Sequence, residues 1–134
     1  MAPFDRGASS TSPPELVERF EMGTAPFLAE PGVRRRKMFG YPACFADGHM
    51  FTSLFRDRWV VRLPDEARAE LARLGGSPFE PRPGQPMTGY ALLPADLADP
   101  YAAHPWLVRA LAHARTLPPK TPRPRRARRA AGTA

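Results

Sequence analysis

The sequence predicts a two-layer α+β domain, with helices packed on an antiparallel sheet of four to five strands. That sheet is a three-strand meander plus a later strand. Three observations predict it. Helix-period apolar runs flank the middle of the chain. Between them lie apolar runs too short for helices, joined by links of two residues such as Asp47-Gly48. Links that short make antiparallel hairpins and cannot make parallel crossovers. Strands gathered in one stretch, with helices before and after, form a sheet with helices segregated to one side.

The elements follow in order. Residues 1–11 are small and polar without periodicity, and are expected to be disordered. Ser12-Pro13-Pro14 opens a first helix, with Ser12 as cap and a proline in the first turn. Leu16, Val17, Phe20, Phe27 and Leu28 keep helical spacing, and Glu30-Pro31-Gly32 stops the helix. A first strand is expected from about Lys37 to Ala46, a second from about His49 to Phe55, and a third after the turn at Arg56-Asp57. In the third, Trp59, Val61 and Leu63 alternate with Arg58 and Arg62, which predicts one buried and one wet face. Pro64-Asp65-Glu66 starts a second helix with Leu71 and Leu74 on its inner side, and Gly75-Gly76 ends it. The proline-rich stretch SPFEPRPGQPM is a loop with an edge segment, and residues 87–93 are the later strand. Asp99-Pro100 begins a last helical region that Pro105 resets; Leu107, Ala110, Leu111, Ala114 and Leu117 form its apolar face.

Composition narrows the function classes. A chain of 134 residues, 43% hydrophobic, buries a core without needing disulfides or metal. One cysteine excludes an internal disulfide and points to a reducing cytoplasm. No apolar stretch is long enough to cross a membrane, and no secretory signal opens the chain. The net charge of +7 is concentrated at one end. Six of the 20 cations (Lys120, Arg123, Arg125, Arg126, Arg128 and Arg129) fall in residues 120–134 with none of the 13 acids. The rest is close to neutral. Residues 118–134 therefore read as a disordered basic Pro/Arg tail following a folded unit at 12–117.

No phosphate-cradling glycine loop, nucleophile elbow or metal-binding helix motif occurs. Cys44 sits in an apolar strand and could meet His49, His104 or His113 only through folding, so a buried, inert thiol is expected rather than a nucleophile. His49, His104 and His113 lack metal-ligand spacing. No catalytic residue, metal or cofactor is predicted. The cations Arg34, Arg35, Arg36 and Lys37 precede Met38 and Phe39. They are read either as phosphate-binding groups or as a charged approach to a buried strand. Met38, Phe39, Phe45, Phe51 and Phe55 are expected in the core.

Several short motifs keep their order along this layout: Lys37-Met38-Phe39-Gly40, then Asp47-Gly48 with Met50-Phe51, Pro78-Phe79, and Pro86-Met87. In these the chain resembles the N-terminal domain of the TfoX/Sxy family over about residues 14–117. It departs at Tyr41-Pro42, where the family has a further glycine. The longer regulators of that family also carry a second, helical domain, where this chain continues as PPKTPRPRRARRAAGTA. The resemblance implies a bacterial cytoplasmic protein, similar to regulators of natural competence that act with transcription factors on DNA. Three functions are carried forward. The first is a non-enzymatic regulatory or accessory protein touching DNA or RNA through the tail, with Arg34, Arg35, Arg36 and Lys37 as secondary contacts. The second is a protein-interaction module, self-associating or meeting a protein partner. The third is a small-molecule or catalytic domain with a scattered site.

Overall fold

In the computed structural model, which describes residues 12–118, the first helix α1 runs Pro14–Thr24. Expectations for residues 1–11 and for the tail cations beyond Pro118 lie outside the described residues. Pro13, not Ser12, is the N-cap, and no side chain caps the helix. The α-helix also stops earlier than Glu30. Thr24 turns its hydroxyl back to the Phe20 carbonyl at 2.8 Å, and a 3-10 turn over Ala25–Ala29 follows. Pro26, which has no N–H to give an α-helical bond, sits in the first turn of that segment.

The sheet then forms as β1 Val33–Met38, β2 Tyr41–Ala46, β3 His49–Phe55 and β4 Arg58–Arg62. Helix α2, Asp65–Arg73, leads to β5 Ser77–Pro78 and β6 Tyr90–Leu92. A 3-10 turn at Ala95–Leu97 precedes helix α3, His104–Ala114. All six strands are antiparallel, in the order β1-β2-β3-β4-β6-β5. The expected four to five strands are thus six. One addition comes from the stretch assigned to a single strand at 37–46, which is two strands turning at Phe39-Gly40. Both turn residues have positive φ, 54° and 86°, the backbone that two-residue hairpins require. The other is β5, the edge segment of the proline-rich loop.

Helices α1, α2 and α3 share one face of the sheet. There Phe20, Phe51, Leu54, Trp59, Val61, Leu71 and Leu107 form the main core. Phe20 and Trp59 meet ring to ring at 5.4 Å, and the Trp59 indole donates to the Thr52 hydroxyl at 2.9 Å. Thr52 donates its own proton to the Val60 carbonyl at 2.7 Å, so the polar side-chain atoms of this pair are satisfied. A bulge between Cys44 and Phe45 leaves Phe51 without a cross-strand partner in the β2–β3 register.

The opposite face is not wet at its centre, contrary to the alternation in β4. Val60 is fully buried under a smaller cluster with Ala43, Met50, Phe79 and Tyr90. The 77–93 segment covers it: Phe79 takes a long backbone bond from its amide to the Tyr90 carbonyl, while Met87 donates to the Phe79 carbonyl at 2.8 Å. Two residues expected inside are outside. Leu74 caps α2 one residue past its end and is exposed. Phe39 occupies the hairpin tip at 86% exposure.

Candidate interaction edge

The four consecutive cations lie on β1, and a strand divides them. Successive side chains point to opposite faces, so Arg34 and Arg36 flank the smaller cluster while Arg35 and Lys37 lie on the helix side. Arg36 spreads over the Phe45 ring at 5.2 Å. Arg35 is half-buried and turned inward, donating to the Glu21 carbonyl at 3.0 Å and to the Thr24 hydroxyl at 2.7 Å. A cation there completes the last turn of α1, where the helix dipole favours positive charge. Arg34, Arg36 and Lys37 are exposed, and among the described residues no carboxylate forms an ion pair with any of the four.

Arg35 pairs across the sheet with Cys44. This joins Cys44, Arg35 and Thr24, a grouping the sequence did not show because it depends on β1 starting at Val33. Burial pushes the Cys44 thiol up, outweighing the Thr24 hydroxyl and the Arg35 guanidinium that draw it down. The side chain is fully buried. A nucleophile needs an accessible thiolate, and this arrangement favours a packed thiol.

The histidines are dispersed. His49 donates from Nε2 to the Pro118 carbonyl at 2.5 Å. The His104 ring lies 5.3 Å from that of Phe27. On α3, burial and then the charges of Arg62 and Arg68 hold the His113 imidazolium below its ordinary pKa. Among the described residues, no three histidine, cysteine or acidic side chains gather closely enough to hold a metal ion. No described helix is long and apolar enough to cross a membrane.

Hollows mark the surface. One, about 380 Å³, lies between α2 and the β5–β6 segment; its lining is mainly apolar, with Arg68, Ser77, Thr88 and Tyr90 as side-chain polar groups. A second, about 350 Å³, has His104 beside Met22 and Tyr101. A third, about 120 Å³, is lined by Met38, Phe39, Tyr41, Met50, Phe55 and Phe79 among others, on the face carrying Arg34 and Arg36. None is lined by Cys44.

The sheet has two unlike edges. At one, β5 is two residues long and ends in Pro78, which has no N–H to offer. At the other, β1 presents six residues. Apart from pairing with β2, residues 34–38 make no backbone–backbone hydrogen bond among the described residues. Comparison with protein-family models gives a match to the TfoX N-terminal domain over residues 26–114. No curated protein matches the chain.

Proposed function

This chain belongs to the TfoX N-terminal domain family, and from that premise we propose a non-enzymatic regulatory or accessory protein that works by contact. Its basic C-terminal segment holds nucleic-acid phosphates, while the folded domain meets a protein partner. The observation that carries this is the distribution of charge. Lys120, Arg123, Arg125, Arg126, Arg128 and Arg129 stand without an acid among them, against 14 cations and 13 acids in the rest. Arginine grips phosphate with two parallel hydrogen bonds, and such contacts position a protein without reading sequence.

Fluorescence anisotropy on a short DNA duplex and a single-stranded RNA tests it, using the whole chain and a full-length variant with those six cations changed to Gln. Binding by the whole chain should fall steeply between about 50 and 200 mM salt, with a log-log slope near −5 on duplex DNA. The variant should lose that binding. Equal binding by both would move the contact to the folded domain, and binding by neither would overturn the nucleic-acid role. A second reading, a protein-interaction module whose tail is incidental, is favoured by the open β1 edge.

A further inference from the structure

We propose that the open edge of β1 docks an acidic, extended segment of a partner protein, which adds a strand to the sheet and seats one apolar side chain beside Phe39. This goes beyond the tail reading and does not depend on it.

Three observations converge on the edge. The first is its backbone. In an antiparallel ladder alternate residues turn their amide and carbonyl away from the neighbouring strand, and along residues 34–38 those outward groups have no backbone partner among the described residues. An added strand satisfies such a row by main-chain hydrogen bonds, while alternate side chains supply specificity.

The second is charge. Arg34, Arg36 and Met38 share the face that carries the smaller cluster, and Lys37 is exposed on the other. On an added antiparallel strand, the residues opposite these side chains lie close enough to pair directly. Carboxylates opposite Arg34 and Arg36 are attracted; a second copy of this chain would set its own cations there and be repelled. The edge therefore refuses its own kind and accepts an acidic strand.

The third is Phe39. It holds φ at 54° next to Gly40 at 86°, in a turn where asparagine fits more easily than a bulky side chain. At 86% exposure its ring gives the fold little in return. With Met38 it lines the hollow of about 120 Å³, which has room for a single apolar side chain. A strand antiparallel to β1 thus reads, from its N-terminus, as an apolar residue opposite Met38, then acids two and four residues later opposite Arg36 and Arg34.

The test uses a fluorescein-labelled peptide, acetyl-Thr-Leu-Thr-Glu-Thr-Glu-Thr-amide, in an anisotropy titration at near-physiological salt. The whole chain and the full-length variant with the six tail cations changed to Gln should bind it equally. Arg34→Glu with Arg36→Glu should weaken binding about tenfold, since two attractive cross-strand pairs become repulsive. Phe39→Asn should weaken it about fivefold, as loss of a contact anchor does, while the melting temperature holds or rises. That second variant separates lost contact from lost fold. A peptide with Lys in place of both Glu should not bind. The proposal is overturned if binding disappears with the tail cations, or if neither β1 arginines nor Phe39 affect it. It is equally overturned if a short DNA duplex displaces the peptide from the tail variant, which would make the edge a phosphate site.

Discussion

Gly76 shows how little room some single positions leave. A Cβ there would stand 2.6 Å from Leu71 Cγ and 2.9 Å from the Leu92 carbonyl oxygen. One contact is backbone and cannot swing aside, so Gly76→Ala should cost about 1–3 kcal/mol, measured as a lower urea midpoint. His113 supplies a pH-dependent test. Its folded pKa lies below the ordinary 6.5, with burial the main cause and Arg62 and Arg68 adding to it. The unfolded chain therefore takes up the proton first as pH falls through about 6.5, and stability drops. Between about pH 7.5 and 5.5, the His113→Gln variant should lose less melting temperature than the parent chain. At this scale the sequence revealed Cys44 as buried, because the run around it is apolar. It did not reveal that Arg35 turns inward, since that follows from pairing opposite Cys44 and from α1 ending at Thr24.

Among the elements, legibility followed the chemistry of the turns. Asp47-Gly48, Pro64-Asp65, Gly75-Gly76 and Asp99-Pro100 each mark a boundary by a residue with a backbone or capping reason to be there. Asp99, for instance, accepts from the amides of Tyr101 and Ala102 at 2.8 and 2.9 Å. The Phe39-Gly40 turn went unseen because a phenylalanine inside an apolar run looks like strand, and its positive φ is a property of the folded hairpin. Missing that turn hid β1, and with it the splitting of the cations between two faces. Their presence on an open edge has a consequence for the element itself. Replacing Arg34, Arg36 and Lys37 by Thr removes the repulsion while retaining strand preference. At equal protein concentration this variant should self-associate more than the parent chain in sedimentation velocity. Unchanged sedimentation would mean that something other than charge protects the edge.

For the molecule as a whole, the fold was more readable than the site. Apolar periodicity announces helices and strands, and the sheet order follows from short links. The cluster of Val60, Phe79 and Tyr90 was not readable, because a proline-rich loop folding over the second face leaves no periodic signal. An interaction edge leaves even less, since it consists of backbone groups that every residue carries. What distinguishes β1 is its position at the end of the sheet and the contrast with the opposite end. There Ser77-Pro78 closes the sheet with a strand too short, and too poor in N–H groups, to template another. Among the described residues the sheet is stopped on one side, so it can be lengthened only on the other. Joined to other strands, the domain therefore terminates the stack: whatever pairs with β1, the Ser77-Pro78 side offers no edge to a further strand.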